Sequence, residues 1–182
     1  VEKCIQSLVG QSFRNIEIIC VSDVSSDASL QVIQKYSAND SRIKIIDPDP
    51  PLGKLSARMK GIELAAGQYI LFIDSHDFLD VNACQSIFEA LKKHDIDILQ
   101  FKCGVEGQES EEAELKACAD QELTEEKLDN NQLLEALFES CSVSASLLGK
   151  AIRTNIAKLV NESIRVKESS SGEDVYHSFF IA

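Results

Sequence analysis

Residues 69–73, Tyr-Ile-Leu-Phe-Ile, form an apolar run without alternation that stops abruptly at Asp74-Ser75-His76-Asp77. A short run that is apolar on both faces reads as a buried strand, and such a strand needs cover on both sides of its sheet. Asp74 falls where the strand leaves the sheet, and open α/β sheets place their ligands at the carboxyl ends of strands. Asp74, His76 and Asp77 can each ligate a metal, and carboxylates in that position can hold a divalent cation against a diphosphate. A solvated turn capping the next helix would carry the same residues. The run therefore constrains the architecture more tightly than the chemistry.

The flanking sequence supplies the cover. Val1, Cys4, Ile5, Leu8 and Val9 follow a helical stripe, and Ile16 to Val21 is a strand rich in β-branched residues. Ser25, Ser26 and Asp27 can cap a helix carrying Leu30, Ile33 and Tyr36. Ile43 to Ile46 is a short strand, and the prolines from Asp47 to Pro51 open a loop. Leu55 to Ala66 reads as a helix with Gly67 at its C′ position. After the 69–73 strand come a helix from Val81 to Lys93, with Cys84, Ile87, Phe88 and Leu91 on one face, and a strand from Ile96 to Phe101. This alternation predicts an α/β fold, Rossmann-like, with a mostly parallel sheet and helices on both faces.

Beyond Cys103 the texture changes. Ten acidic residues between Glu106 and Asp129 crowd a segment that fits a loop or a solvated helix. A helix from Asn131 to Glu139, a mixed apolar stretch from Ser144 to Ile152, and a helix through Ile156, Leu159 and Val160 follow. Ser169 to Gly172 reads as a loop, and Glu173 as the start of a final helix carrying Val175, Phe179 and Phe180.

Composition excludes some classes. A net charge of -12 opposes nonspecific nucleic-acid binding, which needs a basic surface. An acidic protein that binds a diphosphate must supply local cations, helix N-termini or a metal. No run approaches the roughly 18–20 apolar residues of a membrane span, and the first residues do not form a signal peptide. None of the six cysteines (Cys4, Cys20, Cys84, Cys103, Cys118 and Cys141) forms a CxxC pair, which argues against a zinc site. They read as reduced, mostly buried thiols of a cytoplasmic protein.

Four stretches together resemble the inverting family 2 glycosyltransferases with the GT-A fold. They are Cys4-Ile-Gln-Ser-Leu-Val-Gly-Gln-Ser-Phe13 with Ile16 to Asp27, Gly53 to Gly61, Gly67 to Asp77, and Gly172-Glu-Asp-Val175. Their order and spacing match the family across most of residues 4–180. The resemblance implies transfer of a sugar from a nucleotide-sugar, commonly a UDP-sugar, to a hydroxyl on a saccharide or lipid-linked acceptor. It further implies polysaccharide or glycoconjugate synthesis on the cytoplasmic side of a bacterial-type membrane, with peripheral membrane association. Residues 1–103 would form the nucleotide-sugar-binding half of the domain. Residues 104–182 would form the acceptor half, with 104–130 as its variable segment.

Roles carry over where residues match. By the resemblance, Asp23 pairs with the nucleobase, Arg58 lies near the diphosphate, and Asp74 contacts ribose and metal. Asp174 is the general base toward the acceptor hydroxyl, and Glu173 positions it. The metal, Mn²⁺ or Mg²⁺, would be held by Asp74, His76 and Asp77.

The chain also departs from the pattern. His76 stands where the family has its principal carboxylate ligand, and imidazole suits Mn²⁺ or Zn²⁺ better than Mg²⁺. Asp77 can substitute only if the chain turns at Ser75, because residues three apart on a strand face opposite ways. Ser22 replaces an aspartate, Val24 a glycine and Met59 an asparagine. The family's first strand is absent ahead of the Val1–Ser12 helix, and Ala182 falls within a predicted helix, as in a fragment or trimmed domain. A GT-A domain that has lost turnover and serves as a binding or scaffolding module is the competing reading. A nucleotidyltransferase would need a glycine-rich basic loop after its first strand, and none is visible.

Overall fold

A computed structural model describes residues 1–22, 28–101, 132, 147–163 and 177–181. Helix α1 (Glu2–Val9) leads to strand β1 (Ile18–Ser22), α2 (Ser29–Ser37) and β2 (Ile43–Ile46). Then come α3 (Lys54–Leu64), β3 (Tyr69–Asp74), α4 (Ala83–Lys93) and β4 (Ile98–Gln100). The second half contributes β5 (Lys150–Arg153), α5 (Thr154–Ser163) and β6 (His177–Ile181). The six strands form one sheet in the order β2-β1-β6-β3-β5-β4.

Helices cover both faces, as the doubly apolar β3 demands. Ile18 and Cys20 of β1 and Leu71 and Ile73 of β3 pack with Cys4, Ile5 and Leu8 of α1, Ile33 of α2 and Cys84 of α4. Ile19, Val21, Ile70 and Phe72 face the other way, onto Ala57 of α3 and Ala157 of α5. The alternation of these two sets along β1 and β3 is the period-two pleat of a strand buried on both sides. Cys4, Cys20 and Cys84 are free and buried, as expected for reduced thiols.

The expected mostly parallel sheet requires correction. Among the described strands only β1 and β2 pair in parallel, beside an isolated parallel bridge between Phe72 and Leu148. β6 is antiparallel to both β1 and β3, and β5 to both β3 and β4. Strands β1 to β4 do share one direction, as their helical crossovers require. The sequence-consecutive strands are not all neighbours, however, and two strands from the second half run between them in the opposite sense.

The predicted final helix is likewise corrected, because residues 177–181 form β6. Val175, Phe179 and Phe180 are spaced as on a helix face, yet His-Ser-Phe-Phe-Ile is also a compact β-forming run. The facing edges of β1 and β3 would otherwise expose unpaired N–H and C=O groups, and that tertiary demand decides the outcome.

Gly67 is not a C′ residue either. α3 ends at Leu64, and Ala65 is already extended at φ -61°, ψ 129°. Glu17 instead ties down this turn, its Oε1 accepting from the N–H groups of Ala66 at 2.6 Å and Gly67 at 3.0 Å. The predicted caps at Ser25–Asp27, the 104–130 segment and the Ser169–Gly172 loop lie outside the described residues, as does all of the 131–139 helix except Gln132.

Candidate functional site

β3 delivers Asp74 to the carboxyl edge of the sheet, where its residue is 9% exposed. The chain then turns, and the N–H of Asp77 donates to the Asp74 carbonyl at 3.0 Å. This is the turn at Ser75 that recruiting Asp77 requires. One ligand atom each from Asp74, His76 and Asp77 lie within 4.8 Å of one another. Toward solvent the cluster opens, with the His76 side chain 74% exposed, that of Asp77 48% and that of Asp74 12%.

The loop that carries His76 and Asp77 is held by α1 and the residues just after it. Gln11 is fully buried, and its Nε2 donates to the Asp80 carbonyl at 2.6 Å and the Ser7 carbonyl at 3.0 Å. Its Oε1 accepts from the Cys84 N–H at 2.9 Å. Cys84 lies in the first turn of α4, whose N-cap residue Asn82 makes no side-chain cap hydrogen bond. Gln11 thus caps α4 from a distant part of the chain. The Ser7 hydroxyl accepts from the Leu79 N–H at 3.1 Å, and the Ser12 N–H donates to the Val81 carbonyl at 2.8 Å. Sequence reading missed Gln11 and Ser7 as positioning residues, because their partners are remote in the chain.

Arg58, on the second turn of α3, reaches the same edge. Its Nη2 donates to Asp74 Oδ1 at 3.2 Å. Arg58 Nε and Ser22 Oγ are buried without a hydrogen-bond partner among the described residues. Buried donors are normally satisfied, so two orphans at one edge mark a place where a polar ligand fits. The N-terminus of α3 lies at this edge too, and its dipole favours negative charge.

The donor set fits a divalent cation. Two carboxylates and one imidazole suit Mn²⁺ or Zn²⁺ more than Mg²⁺. Nearby Cys4 does not join the set. Its Sγ donates to the Asp74 main-chain oxygen at 3.6 Å, and burial pushes the thiol up to about 12, so it stays neutral.

The structure therefore brings Arg58, Asp74, His76 and Asp77 together. Asp23, Glu173 and Asp174 lie outside the described residues. A cavity of about 760 Å³ lined by Phe13, Tyr69, Cys84, Phe88 and Leu91 opens elsewhere, beside the start of β3, and includes none of the site residues.

Comparison with known proteins places this geometry in a family. The model for glycosyl transferase family 2 matches residues 1–153. The glycosyltransferase GlyA of Streptococcus pneumoniae is 28% identical over 174 residues, covering 96% of this chain and 25% of GlyA. The poly(ribitol-phosphate) beta-glucosyltransferase of Bacillus spizizenii is 33% identical over 111 residues, covering 59% of this chain and 18% of that protein. The crystal structure of S. aureus TarS residues 1–349 in complex with UDP superposes with a TM-score of 0.66 at 20% identity, covering 96% of this chain and 54% of that one. At that identity the likeness is one of fold. The chain spans about a quarter to a third of the length of the first curated relatives it matches. Because the family match covers most of its residues, this chain belongs to glycosyl transferase family 2.

Proposed function

We propose that the chain forms the core of an inverting glycosyltransferase that moves a sugar from a UDP-sugar to a hydroxyl of a saccharide or lipid-linked acceptor. The observation that carries this reading is the Asp74, His76 and Asp77 cluster beside Arg58 at the carboxyl edge of β3. A bound Mn²⁺ would neutralise charge on the diphosphate as the glycosidic bond breaks. Asp74, His76 and Asp77 would hold that ion. Arg58 would bind a phosphate through its unpartnered Nε while its Nη2 orients Asp74.

The nucleobase would pair with Asp23, which follows the end of β1 in sequence. Asp174, oriented by Glu173, would take the proton of the acceptor hydroxyl as that oxygen attacks the sugar from the face opposite the diphosphate. β6, which follows these two residues in sequence, opens at the site edge, since His177 pairs with Ser22 and Ser178 with Asp74. The UDP in the TarS structure supports the choice of nucleotide, and the relatives' names support polysaccharide synthesis in bacteria. Among the described residues no helix is long and apolar enough to cross a membrane. A cytoplasmic setting at the inner face of a membrane is part of the proposal. So is the division into a donor half at 1–103 and an acceptor half at 104–182.

His76, Ser22 and Val24 favour a domain without turnover. The turn at Ser75 counters them, because it brings Asp77 into the cluster as a second carboxylate. Assaying the full-length protein against a panel of nucleotide-sugars tests the proposal. Asp174→Asn should abolish transfer and leave UDP binding within about threefold of wild type. Wild-type protein that binds UDP but transfers from no donor would establish the binding-module reading instead.

A further inference from the structure

Resting on the reading that a cation and a nucleoside diphosphate share the edge beside Asp74, we propose that Arg58 is a resident stand-in for the cation. It restrains metal binding to the nucleotide-free protein, and the incoming diphosphate relieves that restraint.

The three ligands of the cluster are not equally available. His76 and Asp77 are open to solvent, and His76 Nε2 stands 3.9 Å from Asp77 Oδ1. Asp74 is the buried member, and it is already paired, since Arg58 Nη2 donates to its Oδ1 at 3.2 Å. Asp74 makes no other ion pair among the described residues. The guanidinium is itself largely buried, and α3 fixes its place, because neighbouring Ala57 is fully buried against Val21, Ile70 and Phe72. A pair so placed is screened less than a surface pair. A metal-bound imidazole is neutral, so Asp74 and Asp77 supply the negative charge of the site. Arg58 cancels the share of Asp74, and a divalent cation arriving alone meets one uncompensated carboxylate rather than two.

The same guanidinium has an unused donor. Arg58 Nε is buried without a hydrogen-bond partner, although buried donors are normally satisfied. Nε and Nη2 lie on one edge of the planar fork, an edge suited to gripping phosphate. Asp74 uses half of that edge. A phosphate arriving at Nε shares it and draws the positive charge toward itself, which returns the Asp74 carboxylate to the metal site. Coupling of this kind is reciprocal. A cation that takes Asp74 leaves Arg58 freer to hold the diphosphate. An arginine that only oriented Asp74 would weaken metal binding when removed, whereas a stand-in cation predicts the opposite sign.

The test titrates MnCl₂ without nucleotide into full-length wild type, Arg58→Met and Arg58→Gln, then titrates UDP in the presence of Mn²⁺, with melting temperatures recorded for each. Arg58→Met should bind Mn²⁺ about tenfold more tightly than wild type, the weight of a hydrogen bond to a charged group. Mn²⁺ alone should raise its melting temperature by more than it raises that of wild type. Its UDP affinity should fall by about tenfold in the second titration. Mn²⁺ affinity unchanged or weakened in folded Arg58→Met would mean that the arginine merely orients Asp74, and the inference falls. If Arg58→Met does not fold, Arg58→Gln keeps a donor and drops the charge, and Mn²⁺ affinity that fails to rise there overturns the inference equally. Wild type that binds Mn²⁺ but no UDP overturns the donor reading instead. Absence of Mn²⁺ binding in wild type and both variants overturns the cation site itself.

Discussion

Gln11→Leu is the sharpest test of how the site is held in place. Leucine approximates the shape of glutamine and removes every hydrogen bond it makes. The substitution strands the Cys84 N–H, now without its acceptor 2.9 Å away, and leaves the Asp80 carbonyl with only the Ala83 N–H at 3.1 Å. Glutamine at this position is fully buried, so water does not readily replace it. A buried polar group left unsatisfied costs about 1–3 kcal/mol, and the stranded Cys84 N–H gives a central expectation of about 2 kcal/mol. For a chain of this size each kcal/mol moves the melting temperature by about 2–4 °C, so Gln11→Leu should melt roughly 4–8 °C lower.

The same change loosens the loop that bears His76 and Asp77. Losing the partners that orient metal ligands typically costs 10–100-fold in metal affinity, so Mn²⁺ affinity should fall by about tenfold or more. Thermal unfolding followed by circular dichroism gives the first number, and Mn²⁺ titration calorimetry below the melting range gives the second. A loss under about 1 kcal/mol, or unchanged Mn²⁺ affinity in a clearly destabilised variant, would refute the clamp.

Three further outcomes follow from individual groups. Burial raises the pKa of the Glu17 carboxyl, but hydrogen bonds from Lys44 and from the Ala66 and Gly67 N–H groups outweigh it and hold the group below its ordinary range. Its stabilisation is therefore full above the unfolded value of 4.5 and is lost as pH falls through the folded one. Glu17→Ala should cost about 1–2 kcal/mol at pH 7 and converge on wild type in acid denaturation series. His76→Asp should strengthen Mg²⁺ binding relative to Mn²⁺, measured by competition titration, because it replaces imidazole with a hard oxygen ligand. Burial pushes the Cys4 and Cys84 thiols up to about 12, so mass spectrometry after alkylation at pH 8 should find both unlabelled in native protein and labelled after unfolding.

What could be read from the sequence follows the range of the interactions involved. β3 and its terminal Asp74 were readable because burial on both faces writes a continuous apolar run, and a carboxylate ends it. α1 and α4 were readable from their apolar stripes. The direction of the sheet's central pairing was not, because β6 is defined by the vacant edges of β1 and β3 rather than by its own five residues. Gly67 suggested a helix terminus by residue type, whereas a carboxylate on Glu17, far away in the chain, fixes that turn.

The central claim is that the edge beside Asp74 binds a nucleoside diphosphate with a metal, and ligand-induced stabilisation of the full-length protein measures it directly. UDP with Mn²⁺ at about 100 times its dissociation constant should stabilise wild type by about 2.7 kcal/mol, a rise in melting temperature of roughly 5–11 °C. Asp74→Ala should lose most of that rise. No shift with UDP, with or without Mn²⁺, or an equal shift in Asp74→Ala, would contradict the account.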